Sequence, residues 1–417
     1  MRTLAILGST GSIGANTLEV VRESGGELRV WSLAAGRNIE LLSSQIVEFR
    51  PQLVSVATEE MAERLERRLA EAGVPKPQIV YGSTGNLAAA TSDAVDTVVS
   101  AAVGVAGLEA TYEAVRLGKR VALANKEVLV AAGELVMAAA QRSHALLLPV
   151  DSEHNGMHQC LRGADRPQEV SRLILTASGG PFRRTPVETL SGVTPADALR
   201  HPTWNMGRRI TINSATLMNK GFEVIEACRL FGFRPDQVEV LIHPQSTVHA
   251  MIEFQDGSVI AQLGVTDMKM PIQYALYYPE RKPCPQSRKL DWKIVRQWDF
   301  EPPDREKFPA LGLAYRALES GGSAGCTLNA ADEVAVEAFL NGQISFPAMA
   351  DVVAGTLASV PVERPRSIAD VLAVDRASRQ RAAQLVAEIQ AQAIPAGAGA
   401  RGWKGSGDDG TLVPRNG

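Results

Sequence analysis

The sequence predicts an α/β protein: a doubly wound, Rossmann-type parallel sheet over residues 1–150, an α+β unit over 151–278 and a C-terminal helical bundle over 311–392. Three observations carry this reading. Through residue 150, short apolar runs alternate with amphipathic stretches, the pattern of a parallel sheet covered on both faces. Beyond 151 the runs change texture, and Asp256-Gly257 falls between two alternating stretches as a hairpin signal. From 311 the chain is alanine-rich, helical in period and without a strand signal.

Taken in order, "TLAIL" (3–7) is the first strand and "GSTGSIGANTLEVVRES" turns from it into a helix. Further strands are expected at "LRVWSLAA", "LVSVA", "QIVYG", "TVVSA", "RVALAN" and "HALLLPV". "EEMAERLERRLAEAG" and "LEATYEAVRLG" supply helices between them. The second unit holds "RLILTASGG", a helix around 214–230 and the long stretch "VEVLIHPQSTVHAMIEFQDGSVIAQLG". Residues 279–310, rich in proline and charge, read as a connector. The glycine-rich tail, 393–417, lacks core residues and is expected to be disordered.

The 417 residues, 45% hydrophobic and 21% charged, suit a soluble protein of two to four domains. A net charge of −3 makes no electrostatic case for nucleic acid or an acidic membrane. Four scattered cysteines without a C-x-x-C read as reduced thiols, and no run reaches the ~18 apolar residues of a membrane span. With "TLAIL" beginning at residue 3, no leader is expected, and the location predicted is cytoplasmic.

"GSTGSIG" places Gly8, Gly11 and Gly14 between a strand and a helix, where glycines allow a tight turn and close backbone approach to a pyrophosphate. The same four letters, "GSTG", recur at 82–85 without the third glycine, and there a loop is expected. An NAD site usually carries an acid at the end of the second strand; here Ala34 and Ala35 stand in its place, followed by Gly36-Arg37-Asn38. A missing acid beside an arginine suits a 2′-phosphate, so NADPH is favoured over a reading of Arg37 as a solvated loop residue.

The apolar run "ALLLPV" ends at Asp151-Ser152-Glu153. If this segment is extended, Asp151 and Glu153 point the same way, and their hard oxygens suit Mg²⁺, Mn²⁺ or Co²⁺; the plain alternative is a pair of surface acids. His154 beside them lies out of phase and reads as structural. A third ligand should come from "NSATLMNKGFEVIEAC" (213–228). As a helix, at about 100° per residue, Asn219, Lys220, Glu223 and Glu226 lie within about 120° of one another on an otherwise apolar surface. Such a helix is buried with its polar seam lining a cavity, rather than carrying a surface Lys220–Glu223 pair, and Asn213 or Ser214 would cap its start. Ser178 in "TASGG", His201, Trp204 and Met206 in the lid-like "HPTWNMG", and Asn125, Lys126 and Glu127 at a strand end could reach the same cavity. "HPQSTVH" (243–249) reads as structural.

Over residues 1–392 the chain resembles the 1-deoxy-D-xylulose 5-phosphate reductoisomerase family, on "GSTGSIG", "AGRN", "ANKE", "PVDSEHN", "SGGPF", "HPTWNMG" and "SATLMNKGFEVIEA" in that order. The resemblance implies NADPH- and metal-dependent rearrangement and reduction of that sugar phosphate to 2-C-methyl-D-erythritol 4-phosphate in isoprenoid synthesis. It also implies a homodimer, susceptibility to phosphonohydroxamates, and no nucleic-acid or membrane partner. By the same resemblance, Thr10, Gly11, Ser12, Ile13, Gly36, Arg37, Asn38, Asn125, Glu127 and Gly207 would contact NADPH. Asp151, Glu153 and Glu223 would hold the metal. Ser178, Ser214, Asn219 and Lys220 would hold the substrate phosphate with His201 closing over it, and Lys126 and Ser152 would contact the sugar. Lys126, Glu153, His201 and Glu223 are therefore the expected catalytic residues. Arg37, Ala177 and Asn213 depart mildly from the family pattern, which commonly has lysine, glycine and aspartate there. The rivals are a simple NADP-dependent dehydrogenase without carbon rearrangement and a non-enzymatic NADP-binding sensor.

Overall fold

The computed structural model describes residues 1–393 apart from 202, 203, 205, 286 and 294–296. The first sheet consists of β1 (Arg2–Leu7), β2 (Leu28–Ala34), β3 (Leu53–Val56), β4 (Gln78–Tyr81), β5 (Thr97–Ser100), β6 (Arg120–Leu123) and β7 (Leu147–Pro149). All its ladders are parallel, in the order β4-β3-β2-β1-β5-β6-β7. β3 and β5 are buried throughout, which is why "LVSV" and "TVVS" read apolar without alternation. Separate apolar cores lie on the two faces, one with Leu4, Ile6 and Leu33, the other with Ala5, Leu7 and Val98. The strand order reverses direction at β1, so a crevice opens beyond its carboxyl end, next to that of β5.

The second sheet comprises β8 (Val170–Ala177), β9 (Val238–Ile242), β10 (Val248–Phe254) and β11 (Val259–Leu263), in the order β11-β10-β8-β9. β10 runs antiparallel to both neighbours, whereas β8 and β9 are parallel. The expected hairpin joins β10 to β11, with Gly257 at φ 84° and the Asp256 carboxylate accepting from Ser258 N–H at 2.9 Å. Four helices follow the connector: Pro309–Ser320, Ala324–Leu340, Ala348–Ser359 and Ile368–Ala393. They share one continuous core with the second sheet through Phe222, Leu311, Leu328 and Phe339.

Three expectations are corrected. The second "GSTG" is no loop; Gly82, at φ 70°, opens the helix Gly82–Thr91. The helix around 214–230 is two helices, Arg208–Ala215 and Met218–Phe231, so Asn213 and Ser214 end the first one and do not cap the second. Asp151 and Glu153 are not on a strand: β7 stops at Pro149, and Ser152–Leu161 is helical with Asp151 as its N-cap residue. The helix Lys269–Tyr277 lies on the first sheet's side, with Ile272, Ala275 and Leu276 in that core. The connector, 279–310, has no helix or strand among its described residues before the helix opening at Pro309, only a bridge from Glu301 to Ile242. The tail beyond 393 lies outside the described residues.

Candidate active site

One cleft, with a cavity of about 190 Å³, opens between the carboxyl ends of both sheets. One wall includes Ser12 and Ile13, from the turn after β1. That turn needs two of its glycines. Gly8 has φ 88°, and a Cβ there would sit 2.4 Å from Ala101 O. A Cβ on Gly14 would come within 2.4 Å of Gly8 O and 2.5 Å of Ser9 Cα. Gly11 is the N-cap residue of Ser12–Arg22 and no side chain caps that end, so its N–H groups are left to a ligand. Gly36 and Arg37 are exposed beyond β2, and Asn38 caps the helix Ile39–Phe49 by accepting from Leu41 N–H at 3.1 Å. Thr10 lies in the glycine turn. Asn125 is buried and donates to Gly104 O at 2.9 Å, and Glu127 pairs with Arg209 at 3.0 Å.

The acids meet here. Ligand oxygens of Asp151, Glu153 and Glu223 all lie within 4.8 Å of one another. Helical geometry, not strand alternation, brings the first two together, since Glu153 occupies the first turn behind its N-cap residue. The Asp151 side chain does not cap that helix and turns instead to the Lys126 ammonium. Lys126 follows β6 and also reaches Glu223 Oε1 at 3.2 Å and Asn219 Oδ1 at 2.8 Å. Lys220 pairs with Glu223 and lies 3.4 Å from Glu153 Oε1. Glu223 gets there because Leu217, in the left-handed region at φ 62°, breaks the chain between two helices and re-aims the second. That conformation costs roughly 1–2 kcal/mol, set against near-complete burial of the Leu217 side chain.

The electrostatics follow from burial and pairing. Burial pushes Asp151 upward, but Lys126, with His154 and Lys220, more than offsets it and holds the acid at about 2. Burial keeps Glu223 above its ordinary value despite the two lysines, and Glu153 and Asp151 add to the rise. Burial would lower Lys126 and Lys220, yet the surrounding carboxylates raise both. Three carboxylates against two ammonium groups leave the cluster negative, and the all-oxygen donor set fits a hard dication. His154, fully buried, bonds through Nε2 to Glu223 O at 2.8 Å, and its Nδ1 lies 3.6 Å from Glu226.

Beside the acids the cleft gathers hydrogen-bond donors of the kind that suit an anion. Ser178-Gly179-Gly180 follows β8, and a Cβ on Gly180 would lie 2.8 Å from Ser214 O, so the two segments approach only because glycine is there. His201 Nε2 sits 3.0 Å from Ser178 Oγ and 3.1 Å from Ser214 Oγ. Because Trp204 N–H donates to Nδ1 at 2.9 Å, the neutral ring carries its proton on Nε2, facing the two hydroxyls. Asn219 and Lys220 line the same cavity, as do Trp204, Met206 and Gly207; the rest of that lid-like segment, 202, 203 and 205, lies outside the described residues. Ser152 donates to Glu153 Oε2 at 2.6 Å.

Sequence reasoning missed Ser246 and His249, which also line the cleft. "HPQSTVH" lacks periodicity, and its one clue was a polar run interrupting an apolar stretch. Ser246 takes φ 49° in the turn before β10, and His249 is buried beside it.

Family descriptions match the chain in three blocks: 1-deoxy-D-xylulose 5-phosphate reductoisomerase at residues 4–133, its C-terminal domain at 147–231, and DXP reductoisomerase C-terminal domain at 263–381. The reductoisomerase of Solibacter usitatus is 62% identical over 92% of this chain and 97% of its own length. That of Geobacter metallireducens is 50% identical over 93% and 99%. Among solved structures, the Zymomonas mobilis enzyme in complex with NADPH is 42% identical, with TM-score 0.84 over 92% of this chain and 99% of that one. A DOX-P reductoisomerase in complex with NADPH, fosmidomycin and magnesium is 38% identical, with TM-score 0.87 over 93% and 98%. The paired lysines and acids of the cleft thus sit in a chain that matches these proteins nearly from end to end, and it belongs to the 1-deoxy-D-xylulose 5-phosphate reductoisomerase family.

Proposed function

We propose that this chain rearranges and reduces 1-deoxy-D-xylulose 5-phosphate to 2-C-methyl-D-erythritol 4-phosphate, using NADPH and a divalent cation. The observation that carries the reading is the convergence of Asp151, Glu153 and Glu223 within 4.8 Å in a cleft that also contains the glycine turn and the Ser178–His201–Ser214 cluster. A simple dehydrogenase needs the glycine turn and the anion-binding cluster, but not three acids brought together from the start of one helix and the body of another.

Asp151, Glu153 and Glu223 would hold the cation, and the turn from Thr10 to Ile13, with Gly36, Arg37, Asn38, Asn125, Glu127 and Gly207, would hold the cofactor. When bound, Mg²⁺ or Mn²⁺ supplies Lewis-acid polarisation of the substrate's carbonyl, and NADPH supplies hydride. Ser178 and Ser214 donate hydroxyl hydrogens to the phosphate, His201 adds Nε2–H, and Asn219 and Lys220 complete the anchor. That remote anchor orients the reacting carbons, which is where binding energy becomes rate. Lys126 and Ser152 face the sugar portion; the Lys126 ammonium stabilises oxygen charge as it develops. Phosphonohydroxamates such as fosmidomycin would occupy the same cleft.

A homodimer and a cytoplasmic location belong to the same proposal. β11 is an edge strand with Val259 49% and Ile260 38% exposed, which supports pairing with a second copy. No helix among the described residues is long and apolar enough to cross a membrane. The division into 1–150, 151–278, a connector at 279–310 and 311–392 is retained as the working domain scheme. NADPH consumption with 1-deoxyxylulose 5-phosphate, with and without Mg²⁺ or Mn²⁺, tests the function. Turnover that survives complete chelation would favour the dehydrogenase reading.

A further inference from the structure

Arg209 occupies a position that the reaction chemistry does not explain. It lies two residues after Gly207, in the first turn of Arg208–Ala215, and its side chain is only 17% exposed. Its guanidinium joins three parts of the molecule. Nη1 donates to Glu127 Oε1 at 3.0 Å, on the helix that follows β6, and to Glu333 Oε1 at 2.8 Å, on the C-terminal helix Ala324–Leu340. Nη2 donates to Asn329 Oδ1 at 2.9 Å and Asp332 Oδ2 at 3.1 Å on that same helix. One turn on, Asn213 donates to Asp332 at 2.7 Å, so the short helix is tied at two points. Glu333 is itself held by Arg379, which also bonds Asp375 at 2.7 Å. The Glu333 carboxylate presses on the nucleotide side as well, since a Cβ on Gly104 would lie 2.6 Å from Oε1, and Gly104 O accepts from Asn125.

We propose that Arg209 is a positioning residue for the cofactor, tying Glu127 and the Gly207 end of the lid-like segment to the C-terminal helices so that both face NADPH. The inference rests on the reading that Glu127 and Gly207 contact NADPH. A planar fork with five donors is the group that can engage four oxygens on two elements at once; an ammonium cannot. Desolvating so many charges is costly for stability alone, and a junction of this kind does more to fix relative geometry than to strengthen the fold. The C-terminal helices thereby act on the cofactor seat without touching it.

The test is steady-state kinetics and NADPH fluorescence titration on the full chain. Arg209→Lys keeps the charge and loses the fork; it should raise KM and Kd for NADPH about tenfold while kcat at saturating NADPH falls far less. Glu333→Gln, isosteric and not among the expected NADPH contacts, should raise the same constants about twofold to threefold and serves if Arg209→Lys does not fold. Unchanged NADPH constants in the folded variants, or a fall in kcat alone, would overturn the proposal, because a merely structural role lowers the active fraction without moving KM. Glu127→Ala separates the two readings. If it weakens NADPH and the Arg209 and Glu333 variants do not, the positioning role falls; if it leaves NADPH untouched, the Glu127 assignment falls and takes the proposal with it.

Discussion

Lys126 and Glu223, 97 residues apart in the chain, meet inside the cleft with Nζ 3.2 Å from Oε1 and both side chains almost wholly buried. One comes from the end of a parallel strand and the other from a helix packed on the second sheet, so this contact is where the two halves join chemically. A buried carboxylate between two lysines is costly unless it serves charge that changes during reaction. Glu223→Gln keeps the shape and removes the charge. Turnover should fall by roughly 10²–10³-fold, while NADPH affinity, set on the other wall, stays near that of the parent. Unchanged turnover would remove Glu223 from the reacting shell.

The lysines also bear on what metal removal does to the fold. Lys126 and Lys220 compensate much of the acids' repulsion. Chelation should therefore leave a folded, inactive protein rather than an unfolded one. Adding Mg²⁺ or Mn²⁺ at a hundred times its Kd should raise stability by about 2.7 kcal/mol. In Glu223→Gln the same addition should stabilise far less. Thermal unfolding with and without the cation reads both, and equal stabilisation of the two proteins would place the cation elsewhere.

What the sequence revealed was local pattern, and what it concealed was aim. The seam of Asn219, Lys220, Glu223 and Glu226 follows from helical period alone; the first three line the cleft, whereas Glu226 is buried against His154 instead. The break at Leu217 was invisible, because a leucine in the left-handed region leaves no compositional mark where a glycine would. Likewise Asp151 and Glu153 converge, but for a helical reason: three apolar residues before Pro149 suggested a longer strand than β7 provides. The many bonds of Arg209 join residues over a hundred positions apart, and no periodicity reports such a junction.

Two glycines of the first turn, Gly14 and Gly11, should differ sharply. At Gly14 a new Cβ meets backbone at 2.4 and 2.5 Å, which cannot rotate away, whereas at Gly11 the nearest atom is Gly8 O at 3.3 Å. Gly14→Ala should cost more than ~2 kcal/mol, and Gly11→Ala should stay within ~0.5 kcal/mol in the absence of cofactor. Urea unfolding of the two variants decides this. Equal losses would mean that the turn relaxes as a unit.

His249, buried in the cleft wall, should make acid stability depend on one ring. Burial lowers it to about 4, with Lys220 and His243 contributing in the same direction and hydrogen bonding at Val265 and Gly264 opposing. Unfolded, the ring titrates near 6.5, so between pH 6.5 and 4 the unfolded chain binds the extra proton first. The stability associated with the neutral ring is complete above pH 6.5 and is lost as pH falls, by about 3 kcal/mol at pH 4. Glu226, raised by burial to about 7, works with the opposite sign, since its protonated form is the one the fold favours. The net slope of the parent is therefore a sum, and the informative quantity is the difference from His249→Gln. That variant should lose stability less steeply than the parent between pH 7 and pH 4 in urea titrations. Parallel curves would mean that the buried ring is protonated in the folded state as readily as in the unfolded chain.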